Sequence, residues 1–319
     1  MTNMHSCLSE RFLLPRQEVP ILESGLIQIG RGQAKFETVR LLGHNLSIVR
    51  LKVAPKMSGY IVPDNAWMIV HFPLAWTSDF VFNGQIAEHG QAFVSVGRDG
   101  YSTVGTGRDT IAVGVRKDSI ANAIAALAGI SSEQITFADI TLSAQTHAGR
   151  SFKTTLLNLT EQLDQSAFAP GRYNLNSTVE ADLISSLASF LLPFVTNPSL
   201  ERASHLDALK VVRQAEYAAR SASHTQTSLA DMCKAAGVSR AWLHRCFVEI
   251  YGMSPVRCLR LWRLTAARDT LLDLEQGAAL VKETALQYGF RHSGRFGSEY
   301  QAIFGEFPAE TLLRRKNSV

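Results

Sequence analysis

The hydrophobic and polar positions of the chain follow two different periods. From about residue 24 to 116, short runs rich in β-branched and aromatic residues, such as "LSIVRLKV" and "TIAVGVR", are separated by Gly, Pro, Asn and Asp. Many short strands between turn residues are typical of a β-sandwich or a small barrel. After Arg116 the apolar residues recur at helical spacing, over 118–129, 148–167, 178–196 and about 200–222. We therefore expect a β-rich region followed by helices.

Local signals predict where these helices begin, end and pack. Asp118 is expected to cap the first helix and Gly129 to end it. The stretch "PGRYNLNSTVE" (170–180) predicts a turn. The run "LISSLASFLLPFV" (183–195) is a hypothetical dimer seam, and the alternative is a helix buried in the core of one chain.

The last third of the chain contains a repeat. The stretches "GVSRAWLHRCFVEIYGMSP" (237–255) and "GFRHSGRFGSEYQAIFGEFP" (289–308) align with one inserted residue near the start. Thereafter Leu243 pairs with Phe296 and Gly252 with Gly305, each 53 positions apart. A short helical pattern precedes each copy, so the repeat predicts two helix–turn–helix modules.

A helix over 254–273 is expected to join the two modules rigidly. Successive major grooves on one face of DNA lie about 34 Å apart, so a fixed spacing would let both modules bind. Four arginines on this helix are candidates either for phosphate contact or for pairing within the chain: Arg257, Arg260, Arg263 and Arg268.

The second helix of such a module lies in the DNA major groove and is led by its N-terminal residues. In the first copy Ser239 can cap this helix and lies near phosphate. Leu243, Cys246 and Phe247 share the inward face. The residues predicted to face DNA are Arg240, Ala241, His244 and Arg245. Arginine is suited to guanine because its guanidinium can donate to O6 and N7 together.

The second copy departs from the first at the DNA-facing positions. Gly294, Gly297 and Ser298 stand where the first copy has Ala241, His244 and Arg245, and the positive charge moves to Arg291 and Arg295. Two glycines also weaken a helix, by about 1 kcal/mol each relative to alanine. We infer that the first copy reads bases, while the second mainly anchors phosphates or reads shape.

Net charge agrees with this assignment. Residues 224–319 contain 13 of the 32 basic and 9 of the 28 acidic residues, which leaves 19 of each sign in residues 1–223. The whole excess of +4 thus lies in the last third, as expected where one end of a protein meets a polyanion.

These residues carry a resemblance to a family. Residues 228–315, with "SLADMCKAAGVSRAWLHRCFVEIYGMSP", "RLTAARDTLL" and "TALQYGFRHSGRFGSEYQAIFGEFP", closely resemble the AraC/XylS family of bacterial transcription regulators. The resemblance implies two modules that each enter a major groove of promoter DNA, in proteins that commonly activate transcription with RNA polymerase. It places the base-contacting positions of the second module at Ser293, Gly294, Gly297 and Ser298. It also implies a cupin-like effector domain followed by dimerising helices.

One stretch of the β-rich region is a candidate anion site. In "GRGQAKFETVR" (30–40), followed by "NLS" (45–47), a Gly-Arg-Gly turn is surrounded by basic and amide side chains. The candidate ligand residues are Arg31, Lys35, Arg40, Asn45, Ser47 and Arg50. The pattern is similar to the PilZ signature for cyclic di-GMP, with Lys35 in place of its second Arg and Arg50 in place of its Gly. The alternative is an exposed basic turn.

Other kinds of site are less well supported. The rings of Trp67, Phe72, Trp76, Phe80 and Phe82 offer an alternative pocket for a small neutral metabolite. The histidines His44, His71, His89 and His147 lack metal-ligand spacing, and no hydrolase, P-loop or Rossmann motif occurs, so we expect neither a metal site nor an enzyme. An effector-independent architectural protein remains the competing interpretation.

The sequence thus predicts an α+β protein without a cofactor, apart from a candidate effector ligand such as cyclic di-GMP. Residues 1–196 are assigned to a cupin-like barrel or sandwich with following helices, 197–227 to a linker, and 228–319 to an all-α domain with two helix–turn–helix modules joined by a helix. We expect a cytoplasmic, homodimeric, effector-controlled DNA-binding regulator, since no secretory signal or membrane-length apolar run is apparent and the four cysteines lack CxxC spacing.

Overall fold

The computed structural model describes residues 21–97, 100–165, 172–195, 206–221, 227–273 and 279–314 of the chain. The strands are β1 (Ile21–Gln28), β2 (Lys35–Leu42), β3 (Leu46–Ala54), β4 (Met57–Pro63), β5 (Trp67–Ala75), β6 (Val81–Phe82), β7 (Gln85–Ile86), β8 (Gln91–Ser95), β9 (Tyr101–Gly105), β10 (Arg108–Arg116), β11 (Ile140–Ser143) and β12 (Arg172–Asn174). The helices are α1 (Lys117–Ala128), α2 (His147–Gln165), α3 (Ser177–Val195), α4 (Leu206–Ser221), α5 (Leu229–Ala236), α6 (Arg240–Tyr251), α7 (Pro255–Asp273), α8 (Ala279–Gln287), α9 (Ser293–Phe304) and α10 (Pro308–Arg314).

The strands form two sheets that face each other as a sandwich. One sheet has the order β1-β4-β9-β6-β7 and the other the order β11-β8-β5-β10-β3-β2-β12. Rings from both sheets meet between them: His71 contacts Tyr101 with centroids 5.6 Å apart, and Phe82 stacks on Phe93 at 4.3 Å. The predicted α+β class and β-sandwich are confirmed, and the sheets do not close into one barrel.

Helices cover the outer face of the seven-stranded sheet. Neighbouring side chains on a strand point to opposite faces, so Phe72 points away from the sandwich interior that His71 occupies. Phe72 packs against Phe152 of α2 and Phe190 of α3, with ring centroids 5.9 Å apart in both cases. Helix α1 packs against α3 in the same layer. The apolar residues between this helical layer and the seven-stranded sheet form a hydrophobic core.

Helix α3 is part of that core. Its apolar residues Leu183, Leu187 and Phe190 are buried, whereas Asp182 and Ser185 are exposed. By length and mean hydropathy (1.4) alone it resembles a membrane span, but its apolar face already packs inside the protein. The hypothesis of a dimer seam over 183–195 is therefore wrong, and the alternative of a buried core helix is correct.

Two local predictions are also wrong. Asp118 is not the cap of α1: the N-cap is Arg116, whose guanidinium donates to the Asp118 carboxylate at 3.1 and 2.7 Å. The predicted turn 170–180 contains β12, which pairs in parallel with β2 and forms one edge of the seven-stranded sheet. A three-residue strand has no periodicity of its own, so its pairing partner determines its conformation.

A buried histidine makes the fold sensitive to acid. Burial, with a smaller effect of the Arg108 charge, lowers the pKa of His71 from 6.5 to about 3. The unfolded chain then binds a proton that the folded chain does not, so stability falls as pH drops from about 6.5 toward 3. We expect a loss of up to about 1.4 kcal/mol per pH unit in that window, measured by urea unfolding. His71→Phe should flatten this slope, and exposed His89→Ala should not.

The C-terminal helices pack around apolar residues that form one cluster with Ile27 and Met57 of the sandwich. Met232, Leu243 and Phe247 of the first module lie in one core with Trp262 of α7 and Phe296 of the second module. Helix α4, assigned to the linker from the sequence, packs against α5 and α6. Residues 197–205 and 222–226 of the predicted linker lie outside the described residues. Helix α4, which lies within the predicted linker, thus packs on the first module.

Polar side chains connect the N-terminal sandwich to the C-terminal helices. The Nε2 amide group of the buried Gln28 side chain lies within hydrogen-bond distance of the carbonyl oxygens of Gly30 and Gly32 in the β1–β2 turn and of Ile303 in α9, and shares its two N–H groups among them. At β4 and β9, Arg213 of α4 donates to the Tyr101 carbonyl at 3.0 Å and lies 4.6 Å from the Tyr60 ring centroid. These contacts connect β1, β4 and β9 to both the second module and α4.

Candidate DNA-binding surface

The first module has well-defined helix ends. Ser228 and Asp231 form a capping box at the start of α5, and Gly237 ends it with a left-handed φ of 64°. Ser239 then accepts a hydrogen bond from the Trp242 amide at 3.2 Å and caps α6. The predicted cap of α6 is confirmed, and these caps fix the angle at which α6 leaves the turn.

Helix α6 separates an inward and an outward face. Leu243, Cys246 and Phe247 are buried against α5 and α7, as the spacing predicts. The predicted DNA-facing residues Ser239, Arg240, Ala241, His244 and Arg245 are all exposed. No acidic residue lies in the first turn. The exposed N-terminal half of α6 is therefore a small, positively charged surface that a nucleic-acid groove could accept.

Trp242 is a residue of this surface that the sequence analysis missed. Its side chain is 38% exposed, and the Arg245 guanidinium lies 4.5 Å from the centre of its ring. Such stacking restricts the arginine to fewer conformations before it meets a partner. An aromatic residue three positions before a predicted base-reading arginine was the available signal, since these positions are neighbours on a helix.

The second module repeats the first at matching positions. Helices α6 and α9 both contain 12 residues, and α9 begins and ends 53 positions after α6. Gly252 and Gly305 end them with left-handed φ values of 67° and 75°. The predicted repeat is confirmed, down to the glycine that stops each helix.

The outer face of α9 differs from that of α6. Ser293, Gly294, Arg295 and Ser298 are exposed, and Gly297 is partly exposed. Ser298 donates to the carbonyl oxygen of Gly294 at 2.9 Å, so its hydroxyl is used within the helix. His292 precedes α9 and makes no side-chain cap hydrogen bond. The second module thus presents little side-chain surface that can read bases directly.

Alanine at the two helical glycines is expected to stabilise the protein. A Cβ atom built on Gly294 or Gly297 meets nothing within 4 Å, so only the conformational freedom of glycine is lost. Each substitution should raise the free energy of unfolding by about 0.5–1 kcal/mol in urea titrations. Gly305→Ala is the control and should destabilise, because its φ of +75° disfavours alanine and its Cβ would lie 3.1 Å from the Gln33 amide.

A basic cleft of about 200 Å³ lies at the start of α9. Arg291, His292 and Arg295 line it together with Arg260 of α7. Arg295 and Arg260 both donate to Glu299, at 2.9 Å and at 2.5 and 2.8 Å. Burial acts to raise the pKa of Glu299, but these hydrogen bonds outweigh it and lower the pKa. Of the two predicted cations, exposed Arg291 has no such carboxylate among the described residues.

Three of the four arginines on α7 pair within the chain. Arg260 binds Glu299 of α9, and Arg263 donates to the Thr227 carbonyl at 2.9 Å. Buried Arg268 lies 3.3 Å from the carboxylate of Glu306. Arg257 is exposed. Because α7 has 19 residues, it is about 28 Å long, and its arginines connect it to both modules.

The predicted anion residues of the sandwich are not brought together. In the β2–β3 register Arg40 pairs with Val49 and Ser47 with Leu42, whereas Arg50 pairs with Val39. Residues an odd number apart on one strand face opposite ways, so Ser47 faces the sandwich interior and Arg50 faces the helices. Arg31 and Lys35 are exposed at the β1–β2 turn.

Two of these residues are already engaged by carboxylates. Arg50 forms a bidentate pair with Asp109, at 3.1 and 2.8 Å, and donates to Thr160 Oγ1 at 3.2 Å. Glu180 of α3 accepts hydrogen bonds from the backbone amides of Asn45 and Leu46. The amides of the "NLS" turn therefore hold an anion that belongs to the protein itself.

The aromatic residues predicted as an alternative pocket also lie on different faces of the sheet. Phe72 faces the helices while Phe80 and Phe82 face the sandwich interior, so the five predicted rings do not line one pocket. Among the described residues no three His, Cys, Asp or Glu side chains gather as a metal site would require. Cys233, Cys246 and Cys258 are free thiols.

Comparison with known proteins identifies the C-terminal part. Residues 232–314 match the family model described as "Helix-turn-helix domain". The XylDLEGF operon transcriptional activator 1 of Pseudomonas putida is 38% identical over 89 residues, which are 28% of this chain and 27% of that protein. The probable thc operon regulatory protein of Rhodococcus erythropolis is 30% identical over 173 residues, 54% of this chain and 51% of that protein. The chain thus spans about a quarter and a half of these two relatives.

A solved structure shows a similar partial likeness. The probable AraC family transcriptional regulator from Rhodopseudomonas palustris is 29% identical, and the match covers 33% of this chain and 96% of that one. The TM-score of this match is 0.31. The family model and the sequence identity of the Pseudomonas activator fall on the residues that form the two modules. Residues 232–314 are therefore a helix-turn-helix domain of the AraC type.

Proposed function

We propose that this chain is a sequence-specific DNA-binding transcription regulator whose first module reads bases through α6. The observation that carries the proposal is the exposed, positively charged N-terminal half of α6, with Arg245 stacked on Trp242. The second module contributes phosphate contacts through Arg291 and the start of α9, since its glycines leave the helix face bare. The name of the Pseudomonas relative, an operon transcriptional activator, supports activation as the output. The partners that we propose are promoter DNA and RNA polymerase.

The spacing of the two modules supports binding to adjacent grooves. Helix α7 is connected to both modules through Arg260 and Arg263. Because α7 is held to both modules, it resists changes in the distance between α6 and α9. Both helices would then enter successive major grooves on one face of the DNA. We expect a binding site with two conserved blocks about 10 base pairs apart, of which the block under α6 is the more strongly specified.

Selection from a random DNA pool with the full chain tests this function. The proposal predicts enrichment of one two-block sequence, bound about 10³-fold or more tightly than random DNA at the same salt concentration. Arg291→Ala should weaken binding to selected and random DNA alike, and exposed Lys210→Ala on α4 is the matched control for loss of one charge. A pool that shows no enrichment, with equal affinity for all sequences, would support an architectural protein instead.

We further propose that the N-terminal sandwich binds a small effector and that the protein acts as a homodimer in the cytoplasm. The contacts of Arg213 with β9 and of Gln28 with α9 support effector control, since a shift of either strand would move a module. Cyclic di-GMP is one candidate, although its six predicted ligands are divided between two turns and the two faces of a sheet. Isothermal titration of the full chain with cyclic di-GMP tests it, and absence of binding heat would dispose of it.

A further inference from the structure

A buried arginine between the two sheets has no carboxylate partner among the described residues. Arg108, at the start of β10, is 4% exposed, and its Nη1 donates to Thr103 Oγ1 at 2.8 Å. Its Nε has no hydrogen-bond partner, and it forms no ion pair within the part of the chain that the structure describes. Burial lowers the pKa of Arg108 to about 10. A buried cation is costly unless a counter-charge and hydrogen bonds compensate it.

Arg50 shows how the same sheet accommodates an arginine with a structural role. It is 7% exposed, comparable to Arg108, and it lies opposite Ile111 on the neighbouring strand. Its guanidinium is held by the bidentate pair with Asp109 and by Thr160. Asp109 directly follows Arg108 in sequence but points to the opposite face. The sandwich interior therefore keeps a cation whose partner is missing from the described residues.

The groups around Arg108 favour an organic anion over an inorganic one. His71 is 5% exposed, and its Nδ1 has no hydrogen-bond partner. The His71 ring lies 5.8 Å from Phe80, 5.5 Å from Phe82 and 5.6 Å from Tyr101, centroid to centroid. A neutral imidazole can donate one N–H, and the rings supply a flat apolar surface. A Cβ atom built on Gly105 would lie 2.8 Å from the Phe80 ring and 3.6 Å from Arg108 Cδ, so the ring and the arginine side chain are neighbours. The Arg108 charge also contributes to the lowered pKa of His71. The same part of the interior thus contains a cation, a neutral donor and aromatic rings.

A row of rings connects this site to the surface. The exposed His89 stacks on Trp76 at 4.2 Å, Trp76 contacts Phe80 at 5.8 Å, and Phe80 stacks on His71 at 5.8 Å. Trp76 is partly exposed and Phe80 is buried. Side-chain rotation along this row would open a route from solvent to Arg108, which is how a ligand could reach a buried cation.

We propose that Arg108 anchors a small organic carboxylate between the two sheets, with His71 as a second donor and Phe80 and Phe82 against its apolar part. As an effector site, this inference rests on the proposed function of the chain. The effector would then be a monocarboxylate. This class differs from the two candidates drawn from the sequence, which are cyclic di-GMP and a small neutral metabolite.

The proposed site and helix α4 both contact strand β9. Arg108 approaches β9 from the sandwich interior through Thr103, and Arg213 approaches the same strand through the Tyr101 carbonyl. Helix α4 in turn holds α6, because the Tyr251 hydroxyl donates to Glu216 at 2.5 Å. A ligand that moves Arg108 and β9 would therefore act on the helix that carries the first module, and its binding would change the affinity for DNA.

Thermal unfolding of the full chain with matched ligand pairs tests the proposal. The probes are phenylacetate and hexanoate, each compared with its neutral amide, phenylacetamide or hexanamide. We expect at least one carboxylate to raise Tm by about 5 °C at about 100 times its Kd, and its amide to have no effect. No shift with either acid, or equal shifts with acid and amide, would overturn the proposal.

Substitutions distinguish a ligand anchor from a structural arginine. Arg108→Met should leave the Tm of the free protein unchanged or raise it, because an uncompensated buried charge is removed, and it should abolish the carboxylate shift. Arg50→Met should lower Tm and keep the carboxylate shift. His71→Phe, a second variant, should reduce that shift. A drop in Tm for Arg108→Met as large as that for Arg50→Met would contradict the proposal. If the protein binds its DNA site selectively but no carboxylate has an effect, the carboxylate site is refuted and the proposed DNA-binding function stands.

Discussion

The substitution Arg50→Met is expected to lower the free energy of unfolding by about 3–5 kcal/mol. Arg50 is 7% exposed, and its guanidinium forms two hydrogen bonds to Asp109 and one to Thr160. Methionine keeps most of the side-chain volume but leaves the Asp109 carboxylate, whose side chain is 20% exposed, without its counter-charge. The cost is that of an uncompensated buried charge rather than that of a cavity.

Urea unfolding at neutral pH measures this loss, and the chain offers a matched control on the same strand. Lys52 pairs with Glu37 at 2.9 Å, but the two side chains are 35% and 62% exposed. Exposed pairs contribute about 0–1 kcal/mol, so Lys52→Met should change stability by less than about 1 kcal/mol. Equal effects of the two substitutions would mean that the Arg50–Asp109 pair is solvated, in contradiction to the structure.

The Arg245→Ala variant is expected to bind its selected DNA site about 10- to 100-fold more weakly, equivalent to about 1–3 kcal/mol. Arg245 is exposed on the same face of α6 as Ala241 and His244, and its stacking on Trp242 restricts its conformations before binding. Alanine removes both the hydrogen bonds to a base and this preorganisation. Fluorescence anisotropy with the selected duplex measures the loss, and Trp242→Ala should cause a smaller one because the guanidinium remains.

Lys210→Ala provides the control for this measurement. Lys210 is an exposed cation on α4, outside both helix–turn–helix modules. Its removal changes the net charge by the same amount as Arg245→Ala, so any general electrostatic contribution appears in both variants. Losses of equal size in the two variants would mean that Arg245 acts only through its charge.

The C-terminal domain was the more predictable part of the chain because its pattern is local. Helix ends follow from single residues, such as Ser239 at the start of α6 and glycines with left-handed φ at its end and that of α9. The repeat of 53 positions then fixed which residues of α9 correspond to those of α6. Trp242 escaped notice because its role depends on a contact with Arg245 rather than on a capping or packing rule.

The N-terminal region was less predictable because its sites depend on pairing between distant strands. The sequence places Arg50 close to Asn45 and Ser47, but the β-sheet alternates their directions and Asp109 comes from another strand. The buried cation Arg108 carries no local motif at all. Its significance appears only once both sheets are assembled and the surrounding rings and missing counter-charge are known.

The central claim is that α6 reads base sequence, and a base-preference matrix tests it most directly. Every single base-pair variant of the selected site is titrated with the parent chain, Arg245→Ala and Lys210→Ala at one salt concentration. The structure predicts that Arg245→Ala loses preference at one position under α6 and keeps the others, while Lys210→Ala keeps the full matrix. A uniform loss of affinity across all variants of the site with Arg245→Ala, with every preference intact, would contradict the claim.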